Sequence, residues 1–266
     1  MIASSAIAAE WTRLIGTRLW CWALLAALGS GAFTGLLALV GPENFTPPMP
    51  GLDTAQGVHV LLGLLGFTMF IPALLGTAAV TTEYRHRTIT TTALFAPQRS
   101  TWLVAKLVTY TGGGLAYGLI ASTVAAGALF GAAALKDVTL GLPAGTVVAL
   151  LARIALAMAL YTLLGAAAGA ILRNQVTALV AVGAYLYMIE TLLMLMPGVK
   201  AVYPYLPGGA TAALTGFTYL ADAIADQTGT SATALLSAPL GAAVLLGYAL
   251  IAAAIAVAAP LRRDIT

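Results

Sequence analysis

Residues 107–135 read LVTYTGGGLAYGLIASTVAAGALFGAAAL, and no side chain in this stretch is charged. Crossing the hydrocarbon core of a bilayer, about 30 Å thick, takes roughly 20 consecutive apolar residues in a helix. In lipid, only a helix or a closed barrel satisfies all of its own backbone hydrogen bonds. The stretch therefore predicts a membrane-spanning helix over residues 107–134.

Similar gaps between charged residues recur along the whole chain, which is 61% hydrophobic and only 8% charged, with a mean hydropathy of +0.97. A soluble domain of this length needs more polar surface than that. The sequence predicts an all-α polytopic membrane protein with a single transmembrane domain over residues 1–266. The six predicted transmembrane helices lie near residues 19–41, 58–81, 107–134, 146–171, 176–196 and 239–260.

The basic residues predict the orientation of these helices. All but three of the 12 Lys and Arg residues fall on the side that holds both termini; the exceptions are Lys136, Lys200 and Arg153. The positive-inside rule then places both termini in the cytoplasm and the chain, as a multi-pass protein, in the cell membrane. Because the basic residues are scattered, they favour contact with membrane lipids and argue against nucleic-acid binding.

Three segments outside the predicted spans have recognisable patterns. Residues 1–18, which include Trp11, are spaced like an amphipathic helix lying on the inner membrane surface. Residues 82–106 are predicted to form the only substantial cytoplasmic loop. Residues 203–220 are too apolar for a free external loop, and they predict a short re-entrant segment between the fifth and sixth helices.

Glycines four residues apart recur within the spans. Because close backbone approach holds helices together in lipid, this spacing favours packing inside one bundle over a dimer face. The pairs are Gly31 and Gly35, Gly114 and Gly118, Gly127 and Gly131, and Gly165 and Gly169.

The sequence shows no catalytic constellation. His59 and His86 fall on opposite predicted sides, and Cys21 is the single cysteine. The glycine run at residues 112–114 lies inside a span and lacks the Lys-Ser/Thr of a phosphate-binding loop. We therefore expect that the chain is not an enzyme and that it holds no metal or cofactor of its own.

The predicted cytoplasmic loop contains the most distinctive motif, TEYRHRTITTTALFAPQR over residues 82–99, and Lys106 opens the next span. The sequence EWTRL at residues 10–14 precedes the first span, and YLPGGA at residues 205–210 lies in the external segment. In this order, the motifs resemble the permeases of type-2 ATP-binding-cassette (ABC) exporters. In that family, an acidic residue ends the second span, a short threonine-containing coupling helix follows, and a lysine opens the third span.

The resemblance implies a permease subunit that exports an amphipathic drug-like, lipidic or peptide cargo. Its implied partners are two copies of a separate ABC ATPase, which bind ATP and Mg, and a second permease chain, identical or different. A short loop tied to two spans transmits displacement with little slack. The residues implied in ATPase coupling are Glu83, Tyr84, Arg85, Arg87, Thr88, Thr91 and Arg99.

Other interpretations remain open at this stage. The loop residues also fit an ordinary solvated, positive-inside loop. An ion-driven secondary carrier needs several titratable groups near the midplane, and only Arg153 and Glu190 qualify. A non-transporting membrane anchor or an intramembrane enzyme is the remaining class, although the spans lack a His or Asp motif for catalysis.

Arg153 and Glu190 lie within the fourth and fifth predicted spans, each about 10 Å from the external end at 1.5 Å per residue. Because their depths match, we expect an intramembrane ion pair between them. Separate snorkelling of the two side chains, or a direct contact with the cargo, is the alternative. Tyr185, Tyr187 and Met188 in the same span are candidates for a substrate pathway, although aromatic residues in a span also serve ordinary packing.

Overall fold

The computed structural model describes residues 2–45, 48–85, 99–196, 201–228 and 234–258, and these ranges contain helices and connecting turns but no strand. The α-helices, in chain order, are α1 (Ile2–Gly16), α2 (Leu19–Val40), α3 (Ala55–Phe67), α4 (Phe70–Arg85), α5 (Arg99–Leu135), α6 (Ala144–Leu172), α7 (Gln175–Ala184), α8 (Glu190–Leu195), α9 (Pro207–Thr215), α10 (Tyr219–Thr228) and α11 (Ala238–Ala258).

Five helical units in the described ranges are long and apolar enough to cross a membrane, counting α3 and α4 as one. This confirms the predicted all-helical, multi-pass class. The units are Leu19–Val40, Ala55–Arg85, Thr101–Leu135, Ala144–Leu172 and Ala238–Ala258.

The fifth predicted span, residues 176–196, differs from the other five. It winds as three consecutive pieces, namely α7, a π-helical turn over Tyr185–Ile189, and α8. The π turn widens the backbone locally and interrupts the α-helix. The segment is therefore not one uninterrupted α-helix of membrane length.

The junction of α3 and α4 is a tight turn at Thr68 and Met69. Pro72 has no N–H to donate to the carbonyl of Thr68, so the α-helical ladder is broken there. The Thr68 hydroxyl closes the end of α3 by donating to the Leu65 carbonyl at 2.7 Å, and the N–H groups of Ile71 and Ala73 connect α4 to the turn by donating to the carbonyls of Thr68 and Met69 at 3.0 and 3.3 Å.

Close packing around α5 and α6 forms the centre of the bundle. Helix α5 lies between α2 and α6, α4 packs on the other side of α6, and α9 packs against α11. A β-carbon added at Gly35 would lie 2.3 Å from the Ala128 β-carbon, and one at Gly165 would lie 1.9 Å from the Ala73 carbonyl oxygen. At both glycines, the missing side chain lets two helices touch, as predicted.

Gly127 and Gly131 differ from the other glycine pairs. A β-carbon at either position would meet no atom within 4 Å, because both glycines face away from the bundle. The expectation of packing within one bundle is therefore wrong for this pair.

The predicted re-entrant segment contains a 3-10 turn over Tyr203–Tyr205, followed by α9 and α10. Helix α9 is largely buried against α6 and α11, which explains why its sequence is so apolar. It ends at Gly216, whose φ of +69° is a left-handed conformation that glycine adopts without strain.

The loop joining the second and third spans is shorter than predicted. Helix α4 continues to Arg85, and α5 begins at Arg99, well before residue 107. The added turns of α5 place Trp102 and Lys106 against neighbouring helices, so these residues belong to the bundle and not to the loop.

Candidate functional site

A buried ion pair joins the two helices from which the loop emerges. Glu83 lies near the end of α4, and Lys106 lies in the second turn of α5. The Lys106 Nζ lies 2.6 Å from the Glu83 Oε1, and the lysine is only 1% exposed. Both ends of the loop are thus fixed to each other at their roots.

Helix α1 completes this arrangement with charges of its own. The buried Glu10 carboxylate lies 3.1 Å from the Lys106 Nζ, and the Arg13 guanidinium pairs with both Glu10 and Glu83. We refer to Glu10, Arg13, Glu83 and Lys106 as the loop-root cluster. Its two acidic and two basic side chains balance: Glu10, Glu83 and Lys106 are buried, and Arg13 covers them from the partly exposed side.

Aromatic side chains surround the cluster. The indole N–H of Trp102 donates to the Glu10 Oε1 at 3.1 Å. The Lys106 Nζ lies 5.3 Å from the ring centroids of both Trp102 and Tyr110, within the range of cation–π attraction. These contacts partly replace the water that a buried ammonium loses.

An apolar layer beneath the cluster holds the ends of α4, α5 and α6 side by side. It positions Glu83 and Lys106 to face each other and not the solvent. Its buried members are Val80, Leu103, Leu107, Ala166, Ala167, Ala170 and Ala256, and the half-buried Tyr84 packs against them.

The structure describes some of the predicted coupling residues. Glu83 is buried in the loop-root cluster, and the Arg85 guanidinium donates to the Gln175 Oε1 at 3.2 Å, which links α4 to α7. Tyr84 packs inward, as noted above. Arg87, Thr88 and Thr91 lie outside the described residues, and Arg99 starts α5 with a side chain that is also outside them.

Sequence reasoning did not predict the roles of Glu10, Arg13 and Lys106. Glu10 and Arg13 are three residues apart on one helix, which favours their pairing, but nothing in the sequence shows that they meet Glu83. A signal was present nonetheless: in a chain this poor in charge, acidic and basic residues next to apolar spans have few ways to be neutralised.

Arg153 and Glu190 do not form the predicted ion pair. Arg153 is exposed on α6, whereas its neighbour Ile154 is buried in the core. Glu190 is only 4% exposed, and its Oε2 accepts the N–H of Gly208 at 2.6 Å. The matched depths of the two residues do not bring them into contact, because Arg153 lies on the outer face of its helix.

Glu190 instead caps a helix. Gly208 is the second residue of α9, where backbone N–H groups have no partner within the helix. A carboxylate is favoured at that end by the helix dipole. A β-carbon at Gly208 would lie only 2.0 Å from the Glu190 Oε2, so a larger residue there would displace the Glu190 carboxylate from the α9 terminus.

The three candidate substrate-pathway residues have different environments. The Tyr185 side chain lies close to Glu190 and lines an apolar cavity beside α11. Met188 is 57% exposed and faces away from the bundle. The side chain of Tyr187 lies outside the described residues.

The described residues offer no group of three or more His, Cys, Asp or Glu side chains arranged to hold a metal ion. The glycine run at residues 112–114 lies in the interior of α5, where the helix itself uses the backbone N–H groups. These N–H groups are thus not available to cradle a phosphate.

No protein-family model matches the chain, and no curated protein matches it.

Proposed function

We propose that the chain is the membrane-spanning permease subunit of a type-2 ABC exporter. In this proposal it works as a dimer with an identical or different permease chain, together with two copies of a separate ABC ATPase. The observation that supports the proposal most strongly is the loop-root cluster. It connects both ends of the loop, and α1 as well, through buried charges.

The loop-root cluster is suited to transmitting force from the loop to the helices. A push on the loop moves α4 and α5 together, because the Glu83–Lys106 pair fixes one to the other at 2.6 Å. Through Glu10 and Arg13, the same displacement reaches α1. Coupling of this kind travels through packed side chains and rigid helices, and a buried network has little room to absorb it.

In the proposed topology, residues 175–195 form the fifth of six spans, so that both termini lie in the cytoplasm and the loop faces the ATPase. The three helical pieces in this segment are contiguous. At about 1.5 Å per residue, their combined length approaches the thickness of the hydrocarbon core.

Purified chain alone is expected to hydrolyse no ATP, and hydrolysis in reconstituted vesicles is expected to require a separate ABC ATPase. The measurement is phosphate release by the chain alone, by the candidate ATPase alone and by the two together. Robust turnover by the chain alone would contradict the proposal, and so would failure to co-purify with, or stimulate, an ATPase encoded beside it.

Replacing the four threonines among residues 88–92 with glycine is expected to abolish ATP-driven transport while leaving the thermal stability of the chain unchanged. These positions fall between α4 and α5, outside the described residues, so the change adds backbone freedom there without altering the loop-root cluster. The matched control is Lys136→Gln at the opposite end of the bundle, which should keep full coupling. Unchanged transport in the glycine variant would show that the loop transmits no force.

A further inference from the structure

Glu190 faces a cavity of about 140 Å³ between α3, the end of the fifth predicted span and the segment around α9. The carboxylate is 96% buried, yet its Oε1 has no hydrogen-bond partner. A cavity needs only about 10–15 Å³ of space open to a water-sized sphere to hold one water molecule. The space beside Glu190 is thus large enough for a small organic group.

The charge of this carboxylate has no counter-charge among the described residues. The ion pairs there involve the loop-root cluster, and Glu43 with Lys136, but not Glu190. The Gly208 N–H supplies a hydrogen bond to the carboxylate without a positive charge. A carboxylate buried among apolar helices attracts a cation strongly, because little water competes for it.

Aromatic side chains line the same cavity. Phe67 and Phe217 meet edge to face with their ring centroids 5.7 Å apart, and Tyr161 and Tyr203 are both buried in its wall. Aromatic rings attract organic cations through their negatively charged faces, most strongly where water is excluded. Together with Glu190, this lining has the chemistry of an ammonium-binding site.

A second cavity, of about 420 Å³, adjoins the first. Tyr161 and Leu186 line both cavities, and the wall of the second is otherwise almost entirely apolar. Tyr185 lines the second cavity and lies close to Glu190. The π turn that begins at Tyr185 contributes Tyr185 and Leu186 to the cavity walls, and such turns recur at functional sites.

We infer that the two cavities form one binding site for a lipophilic cation, an organic ammonium with a hydrocarbon tail. The ammonium occupies the smaller cavity against Glu190, and the tail extends past Tyr161 and Leu186 into the larger one. That such a compound is the exported cargo rests on the function proposed above, whereas binding to the isolated chain does not.

The test measures binding of decyltrimethylammonium and of uncharged decanol to the full chain in lipid nanodiscs by calorimetry, with empty nanodiscs subtracted. We expect the cation to bind about tenfold more tightly than decanol, a difference of about 1.4 kcal/mol. Glu190→Gln should remove this preference, since glutamine keeps an acceptor for the Gly208 N–H but has no charge. Glu43→Gln, an acidic residue exposed elsewhere on the molecule, should leave it unchanged.

A second variant tests the position of the tail. Ala252 lines the larger cavity, and Ala252→Phe should weaken binding of decyltrimethylammonium without changing the binding of tetramethylammonium. Equal affinity of the wild-type chain for decanol and decyltrimethylammonium would overturn the inference, even if Glu190→Gln fails to fold. So would a Glu190→Gln variant that still prefers the cation.

These measurements require no ATPase. Preference for the cation in a chain that stimulates no ATPase would contradict the export function and leave the binding site standing. Stimulation of an ATPase by a chain without this preference would contradict the binding site and leave the export function standing.

Discussion

Replacing Lys106 with methionine is expected to lower the free energy of unfolding by about 3–5 kcal/mol, the usual cost of removing one partner from a buried ion pair. Methionine fills much of the same space, so the loss comes from charge and not from a cavity. Glu10 and Glu83 would then face each other with Arg13 as their single counter-charge. The measurement is reversible unfolding of the purified chain in mixed micelles.

The matched control is Lys136→Met. Lys136 also pairs with a glutamate, Glu43, at 3.4 Å, but both side chains are partly exposed, at 25% and 49%. Exposed pairs of this kind stabilise by about 0–1 kcal/mol. Equal effects of Lys106→Met and Lys136→Met would show that the loop-root cluster is not a buried network.

The double variant Lys106→Met with Glu83→Gln separates stability from force transmission. It removes one charge of each sign, so the pair formed by Glu10 and Arg13 is left balanced. We expect it to recover part of the stability lost in Lys106→Met. Because α4 and α5 would no longer be joined by an ion pair, ATP-driven transport should remain impaired.

The sequence was sufficient to predict an all-helical chain with several helices of membrane length, because long charge-free stretches have few alternatives in water or in lipid. It was not sufficient to predict which way each helix faces. The spans are apolar on every side, so periodicity does not distinguish Ile154, which is buried, from Arg153, which is exposed. The depth of a residue in the membrane follows from the helical rise per residue. Two residues make contact only if each also lies on the face of its helix that points toward the other.

The sequence did not predict the π turn over Tyr185–Ile189 either. Its sequence, YLYMI, has no glycine or proline to mark a break, and the turn depends on what surrounds it. Immediately after it, Glu190 caps α9, a contact between segments that no local pattern encodes. The loop-root cluster illustrates the same limit, because Glu83 was predicted to dock a partner and is buried among its own helices.

Replacing Gly165 with alanine is expected to force α4 and α6 apart, with a loss of stability of about 1–3 kcal/mol, as for other overpacked cores. The new β-carbon would lie 1.9 Å from the Ala73 carbonyl oxygen, and a backbone atom does not rotate out of the way. Separation would also stretch the hydrogen bond that the buried Thr77 hydroxyl donates to the Gly165 carbonyl at 3.0 Å. A lost bond of this kind adds about 1 kcal/mol.

Gly127→Ala in α5 is the matched control, because it makes the same chemical change within a helix but meets no atom within 4 Å. Alanine is the better helix former, so this variant should be neutral or slightly stabilising. Thermal unfolding of both variants in the same detergent gives the comparison. Helix α4 also holds Glu83, so a displaced α4 should weaken the Glu83–Lys106 pair and lower ATP-driven transport in Gly165→Ala alone. Indistinguishable stabilities would show that α4 and α6 are not in backbone contact, and the path from the loop into the bundle would then have to run through α5.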